Sequence, residues 1–167
     1  MRILPQASPE IQTLAKKLES QHTAMLTLPD EIGTLSCRPM TPQEMDDTGA
    51  IWMMVSRKAP WVAQASGQAA NLAFVLPDDG DYVSIAGRAE LVEDVERKKA
   101  LWTVGARPWW SGPDDPDLLL LKLIPSRIEY WDGPNGVVSR TLAMAASVVA
   151  GREVGLGDKQ VVTMSTG

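Results

Sequence analysis

The sequence predicts a mainly β domain with flanking helices, in which an antiparallel sheet curls into a barrel. Apolar, strand-like runs recur along most of the 167 residues, and most consecutive runs are joined by short turns rich in Pro, Asp and Gly. Short turns of this kind join antiparallel neighbours, since parallel strands need longer crossovers. With 44% hydrophobic residues and no internal repeat or linker, one domain over residues 1–167 is predicted.

The elements of the N-terminal part follow from capping residues and turn signals. A hydroxyl, a proline and an acid in succession are typical of a helix start, and apolar residues at helical spacing follow them. The elements predicted up to residue 50 are a helix begun by Ser8, Pro9 and Glu10, strands over Thr23–Leu28 and Thr34–Met40, and an acidic turn region over Thr41–Gly49.

The remainder of the chain alternates between strands and short helices. An alternating apolar pattern predicts half-buried strands, and an Ala-rich segment near the C-terminus predicts a helix. The predicted elements are a strand over Ile51–Val55, a helix opening at Pro60-Trp61, strands over Asn71–Leu76 and Tyr82–Leu91, a helix over Val95–Val104, a long loop over Gly105–Pro116, a β stretch over Asp117–Trp131 in one or two pieces, and a helix over Ser139–Ala150 within a C-terminal helix and tail of about residues 135–167.

Composition excludes several functional classes. The net charge is −5 and no run of more than three Lys or Arg residues occurs, which argues against a nucleic-acid partner. Apolar runs such as Ile51–Val55 and Leu118–Leu121 are far shorter than the ~18 residues of a membrane span. The N-terminus lacks the apolar segment of a signal peptide, and a single cysteine fits a reducing compartment. A cytoplasmic protein that contacts neither membrane nor nucleic acid is predicted.

Catalysis by protein side chains is difficult to assemble from this sequence. His22 is the only histidine and falls at the predicted end of the first helix, where a cap or a solvated residue is expected rather than a base. Cys37 is the only cysteine, and it is expected to be buried and structural. One Cys and one His cannot build a Cys/His zinc site within one chain. A bound cofactor that supplies the chemistry, or a binding function without chemistry, is therefore favoured.

The strand Ile51–Val55 and the turn that follows it form the most informative stretch. The strand is wholly apolar, and it leads directly into Ser56-Arg57-Lys58. A dry strand that ends in a hydroxyl and two cations suits the anionic end of an apolar ligand. A solvated turn after a core strand explains the same pattern. The six tryptophans and eight methionines similarly indicate a flat aromatic ligand, a subunit interface or ordinary core packing.

Five ordered motifs resemble those of one known family, and the resemblance covers roughly residues 10 to 150 of the chain. The motifs are RPM (38–40), GAIWMMVSR (49–57), YVSIAGRAE (82–90), WSGPDDPD (110–117) and EYW (129–131). Together they resemble the general stress protein branch of the pyridoxamine 5′-phosphate oxidase-like flavoproteins. The resemblance implies an FMN-binding split β-barrel that forms a homodimer with the flavin groove at the subunit interface.

The resemblance also implies which residues contact the flavin. The RPM strand end lies along the flavin, the next strand runs beside the isoalloxazine ring and leads to the phosphate, and a tryptophan of the long loop covers the ring edge from the second subunit. The candidate flavin-binding residues are Arg38, Pro39, Met40, Met53, Met54, Val55, Ser56, Arg57, Lys58, Trp61, Trp109 and Trp110.

The chain departs from the family pattern at the phosphate site. The family commonly has a Ser-x-Lys pattern there, and the corresponding positions are Ala59 and Trp61. Neither side chain replaces a hydroxyl or an ammonium. Compensation by Ser56, Arg57 and Lys58 is one expectation, and weaker FMN affinity or a different phosphate geometry is the other. The Arg-Leu-x-Pro ending of the true oxidases is also absent, which argues against oxidation of pyridoxine phosphate.

Three functions remain open at this point. The first is an FMN-binding protein, with FAD as an alternative cofactor, that transfers electrons or hydride through the flavin. The second is a flavin-dependent oxidase or reductase of a pyridoxamine-phosphate-like small molecule. The third is a cofactor-free interaction module that uses its exposed Trp and Met side chains.

Overall fold

A computed structural model of the chain describes residues 1–77, 80–131 and 159–163. Within these residues, two α-helices and nine strands are formed. The helices are α1 (Pro9–Leu18) and α2 (Val95–Leu101), and the strands are β1 (Arg2–Ile3), β2 (Ala24–Pro29), β3 (Leu35–Met40), β4 (Pro42–Met45), β5 (Ile51–Ser56), β6 (Ala69–Leu76), β7 (Asp81–Val92), β8 (Leu118–Trp131) and β9 (Lys159–Thr163).

All nine strands belong to one sheet. Its order is β1-β4-β5-β8-β7-β6-β2-β3, and β9 also pairs with β8. Every pair is antiparallel except β1 with β4. The prediction of a mainly β, antiparallel split barrel with flanking helices is confirmed. The hydrogen-bonded path is open between β1 and β3, so the sheet curls without closing.

Helix α1 begins where its capping residues predict. The Ser8 side chain accepts a hydrogen bond from the backbone N–H of Ile11 at 3.4 Å. Lys17, near its end, donates to the carboxylate of Asp81 at 2.6 Å and to the hydroxyl of Tyr130. Burial, with the Asp81 carboxylate beside it, raises the pKa of Tyr130 to about 12. This cluster fastens α1 to β7 and β8.

Four expectations about local structure need correction. Strands β1 and β4 were not predicted, and β4 lies within the stretch expected to be a turn. The helix expected to open at Pro60-Trp61 is only a single 3₁₀ turn over Val62–Gln64, since Gly67 soon follows with a φ of 81°. Helix α2 ends at Leu101 rather than at Val104. Strand β9 was not predicted, and the predicted helix over Ser139–Ala150 lies outside the described residues.

Strand β8 is the long central strand of the sheet. It is a single strand of 14 residues. Its first six residues pair with β5 on one side, and residues 120–131 pair with β7 on the other. The register with β7 shifts between Ala86 and Gly87, opposite Pro125. Proline cannot donate to a ladder, so the shift accommodates it within the sheet.

Strand β5 lies between two apolar layers, which explains why its sequence does not alternate. Ile51, Met53 and Val55 belong to the main core of the barrel. Trp52 and Met54 face the other way and pack in a smaller cluster with Leu101, Ala106, Leu118 and Leu120. Both faces of the strand are therefore buried, and the face that carries Trp52 and Met54 lies under the candidate site.

Candidate functional site

A groove of about 630 Å³ lies over the smaller apolar cluster. Its size falls within the range of small-molecule sites, roughly 300–1,000 Å³. Most of the apolar lining comes from the end of β3, from β5 and from the loop after α2, and it includes Pro39, Met40, Met54, Ala106, Trp109 and Trp110. A flat, largely apolar ligand suits this lining better than a small polar one.

The polar lining of the groove comes mainly from the N-terminus and from β4. It includes Arg2, His22, Thr41, Gln43 and Thr103. The guanidinium of Arg2 is paired with the buried carboxylate of Glu44, which also pairs with Arg97. Arg2 is thus held in place at the groove by a carboxylate that it shares with Arg97.

The two adjacent tryptophans have different environments. Their ring centroids are 6.4 Å apart with an interplanar angle of 45°. Trp109 is 71% exposed, whereas Trp110 packs against the smaller apolar cluster. The indole Nε1 of Trp110 is buried and has no hydrogen-bond partner. A buried N–H without an acceptor is costly, so this atom is a candidate donor to a ligand.

Arg38 is the second residue with a buried, unpaired donor. Its Nη2 donates to the Ser36 hydroxyl at 2.9 Å, and its guanidinium stacks on the Trp61 ring at 4.2 Å from the centroid. Its Nη1 is buried without a partner, and burial lowers the pKa of the guanidinium. Arg38 lies two residues before Met40, on the same side of β3. It is therefore next to the groove, although it does not line it.

In the turn after β5, the hydroxyl of Ser56, two backbone N–H groups and the Arg57 side chain have partners within the chain. The carboxylate of Asp117 accepts hydrogen bonds from the Ser56 hydroxyl at 2.7 Å and from the backbone N–H of Lys58 at 3.1 Å. The backbone N–H of Arg57 donates to the Asp117 carbonyl at 2.7 Å, and the Arg57 side chain is paired with Glu93. None of the three turn residues lines the groove.

Trp52, on the face of β5 that Met54 shares, is held by charged groups. Its Nε1 donates to Asp46 at 2.8 Å, and the cations of Arg97 and Lys122 lie over its ring at 4.4 and 5.0 Å from the centroid. Burial alone would raise the pKa of Asp46, but hydrogen bonds from Thr48, Trp52 and backbone N–H groups outweigh it and hold that pKa below its ordinary value. These contacts fix the side of β5 that supports the groove.

The structure divides the sequence-predicted site residues into three groups. Pro39, Met40, Met54, Trp109 and Trp110 meet at the groove, and Arg38 and Trp61 stack beside it. Met53 and Val55 face the main core instead, because side chains alternate along β5. Ser56, Arg57 and Lys58 form the separate turn, and a role for them in ligand binding stays a prediction.

Several groove residues were not predicted as part of a site. Thr41 and Gln43 lie in or beside β4, a strand that the sequence did not reveal, and Arg2 is brought in by β1. His22, expected to be a cap or solvated, is exposed and also lines the groove. Cys37, expected to be buried, is exposed, so that expectation was wrong. It alternates with Arg38 and lies on the outer face of β3.

Residues 1–77, 80–131 and 159–163 contain neither a cluster of metal-binding side chains nor a membrane-spanning helix. No group of three or more His, Cys, Asp or Glu side chains there is arranged to hold a metal ion. No helix in these segments has both the length and the hydropathy that a membrane crossing requires.

Comparisons with known proteins identify the relatives of this chain. The sequence profile of the family described as pyridoxamine 5′-phosphate oxidase like matches residues 9–155. General stress protein 26 of Bacillus subtilis (strain 168) is 36% identical over 51 residues, which are 30% of this chain. The matched stretch covers only 36% of that relative's length.

Solved structures resemble the chain over much more of its length. A protein provisionally described as general stress protein 26 from Jannaschia sp. CCS1 has a TM-score of 0.68 and 26% identity, and the match covers 89% of this chain and 94% of the other. The general stress FMN/FAD binding protein from Xanthomonas citri has a TM-score of 0.65 and 30% identity, over 77% and 92% of the two chains.

Proposed function

Because this chain belongs to the pyridoxamine 5′-phosphate oxidase-like family, we propose that it binds a flavin in the groove, as a flavoprotein of the general stress type. FMN is the proposed cofactor, with FAD as the alternative. The similar protein from Xanthomonas citri is described as FMN/FAD binding, which supports a flavin as the ligand class.

The observation that carries the proposal is a pair of buried donors without acceptors, one from a residue that lines the apolar groove and one from a residue of the strand that ends at it. Arg38 Nη1 and Trp110 Nε1 can only donate hydrogen bonds, and neither has a partner among the described residues. A flavin offers matching acceptors, because its ring carries carbonyl oxygens and its side chain carries a phosphate. The residues present therefore fit the group.

The remaining groove residues would hold the ring and keep it dry. Met40 and Met54 offer soft, polarizable contact to a flat ring, and Trp110 closes the groove from the loop side. Bound flavin supplies hydride or electron transfer, which the side chains of this chain do not supply themselves. The contribution of the protein is to orient the ring, exclude water and donate hydrogen bonds to its oxygens.

We also propose that the protein is a cytoplasmic homodimer. The outer face of β3, β2, β6 and β7 exposes apolar side chains, with Leu35 at 71%, Val75 at 57% and Tyr82 at 49% exposure. Val75 lies opposite Tyr82, and Met25 lies opposite Pro39, which lines the groove. A second copy against this face would cover the apolar side chains and extend the wall of the groove.

Sedimentation tests the dimer. We expect a dimer at micromolar concentration, and a Val75→Lys variant is expected to shift the protein towards the monomer because it places a charge in the covered face. A matched change at the exposed Val104, in the loop after α2, is expected to leave the dimer intact. A wild-type protein that sediments as a monomer at all concentrations would contradict the proposal.

Titration with FMN tests the flavin site. We expect saturable quenching of flavin fluorescence, with an affinity about three- to tenfold weaker in Trp110→Phe, because one hydrogen bond contributes roughly 0.5–1.5 kcal/mol. Trp131→Phe, at the far end of β8, serves as the control and should bind as the wild type does. If the wild-type protein neither quenches nor retains flavin, flavin binding is wrong.

The same preparation separates the two alternative functions. Release of hydrogen peroxide on addition of pyridoxamine phosphate would favour a flavin-dependent oxidase of that kind of substrate. An intact dimer without affinity for FMN, FAD or riboflavin would favour a cofactor-free interaction module.

A further inference from the structure

The turn that follows β5 is filled by a carboxylate of the chain itself. Asp117 comes from the start of β8, 61 positions after Ser56, and its two carboxylate oxygens accept from the Ser56 hydroxyl and the Lys58 backbone N–H. Its carbonyl oxygen accepts from the backbone N–H of Arg57. Asp117 therefore takes the hydroxyl and two of the N–H groups that would otherwise be available to a phosphate.

The charges around the turn are also balanced internally. Arg57 is paired with Glu93, which pairs with the buried Lys98 as well. The ammonium of Lys58 has no ion pair within 4 Å in the described part of the chain. Hydrogen bonds from the backbone N–H groups of Ser111 and Asp117 and from the Ser111 hydroxyl lower the pKa of Asp115, and the charge of Lys58 adds a smaller contribution in the same direction. The three cations Arg57, Lys58 and Lys98 are thus matched by three carboxylates, those of Glu93, Asp115 and Asp117. The turn therefore has no net positive charge that would attract an anion.

We propose that Asp117 is a specificity-determining residue that closes this turn to phosphate. The proposal deepens the flavin site proposed above and rests on it. A phosphate placed in the turn would either displace the Asp117 carboxylate from its hydrogen-bond donors or lie in contact with it. The negative charges of the phosphate and the carboxylate repel each other in contact, and this repulsion opposes binding. The flavin phosphate, or any phosphate of a substrate, is therefore bound elsewhere than at Ser56, Arg57 and Lys58.

Under this assignment, the turn does not compensate for the groups that this chain lacks at Ala59 and Trp61, which offer neither a hydroxyl nor an ammonium. Of the two cations just before them, Arg57 is paired with Glu93 and Lys58 lies near the Asp115 carboxylate. Trp61 instead stacks on Arg38, whose Nη1 is a buried donor without a partner. An anionic end of the ligand fits Arg38 better than it fits the turn.

Titration with inorganic phosphate tests the closed turn directly. We expect no saturable change in the backbone amide chemical shifts of Arg57 and Lys58 when phosphate is added to the wild-type protein. In Asp117→Asn, which removes the charge and keeps the shape, saturable shifts are expected at both amides. Asp114→Asn removes the same charge from an exposed position of the same loop and should respond as the wild type does.

Either of two results would overturn the proposal: saturable shifts in the wild-type protein, or none in a folded Asp117→Asn variant. Asp117→Ser retains a hydroxyl acceptor for the turn and provides a second variant if Asp117→Asn does not fold. The wild-type titration decides without any variant, since a phosphate bound at the turn contradicts the assignment.

Flavin affinities test the consequence for the ligand. The ratio of riboflavin to FMN dissociation constants is expected to rise about fivefold in Asp117→Asn, as removal of one partly exposed charge predicts, and to stay unchanged in Asp114→Asn. An unchanged ratio in Asp117→Asn would overturn the specificity role. If no flavin binds at all, the proposed function fails, while the phosphate titration still decides whether Asp117 closes the turn.

Discussion

Replacing Gly87 with alanine is expected to destabilise the protein by about 2–4 kcal/mol, the largest stability effect that the structure predicts for a single methyl group. A Cβ at this position would lie 2.0 Å from the carbonyl oxygen of Ile124 and 2.9 Å from the Cα of Pro125. Both atoms belong to the backbone of β8, so no side-chain rotation relieves the overlap. The sheet has to separate where β7 and β8 change register.

Thermal unfolding followed by tryptophan fluorescence measures this effect. For a chain of this length, a loss of 3 kcal/mol corresponds to a fall in Tm of roughly 6–12 °C. Gly112→Ala is the matched control, because a Cβ there meets nothing within 4 Å, and its free energy of unfolding should change by less than about 1 kcal/mol. Equal stability of the two variants would show that the close approach at Gly87 is not a feature of the protein.

The sequence predicts those elements whose signals are local. The cap at Ser8 and the apolar run of β5 are visible within a few residues, and both form where they are predicted. Strand β4 is hidden because Glu44, in its middle, looks like a surface residue. It is fully buried since Arg2 and Arg97, 42 and 53 positions away, neutralise it. No local pattern carries that information.

At the candidate site, too, local sequence patterns do not reveal the partners that come from distant parts of the chain. Ser56-Arg57-Lys58 has the residue types of an anion site, and nothing nearby in the sequence indicates that Asp117 and Glu93 occupy its donors. The family resemblance named Met40, Met54 and Trp110 as candidate flavin contacts, and the three line one groove of the same chain, although the tryptophan was expected from a second subunit. They do not reveal which donors are unpaired, because pairing depends on the final packing of side chains from distant strands.

Replacing Arg38 with methionine is expected to weaken FMN binding by about tenfold to a hundredfold, since a hydrogen bond from a charged donor contributes roughly 1.5–3 kcal/mol. Methionine keeps an unbranched aliphatic side chain at this position and removes every donor. The loss is expected to be larger for FMN than for riboflavin, because a guanidinium binds a phosphate more strongly than a neutral carbonyl oxygen. Fluorescence titrations with the two flavins measure both quantities.

Arg127→Met is the matched control for this experiment. Arg127 lies on β8, is 53% exposed and pairs with Glu129 at the surface. The same chemical change at this position should leave both flavin affinities within about twofold of the wild type, because an exposed ion pair contributes little. A comparable loss of affinity in both variants would indicate a general effect of positive charge rather than a contact at Arg38.

The stability of the unliganded Arg38→Met variant distinguishes a ligand-binding arginine from a structural one. The wild-type guanidinium keeps a buried donor without a partner, a cost that the variant removes. The variant also loses the Ser36 hydrogen bond and the stacking of a cation on Trp61, and these opposing contributions are each about 1 kcal/mol. We therefore expect the free energy of unfolding to stay within about 1 kcal/mol of the wild type while flavin affinity falls. A variant that loses stability but binds FMN normally would show that Arg38 supports the barrel and does not meet the ligand.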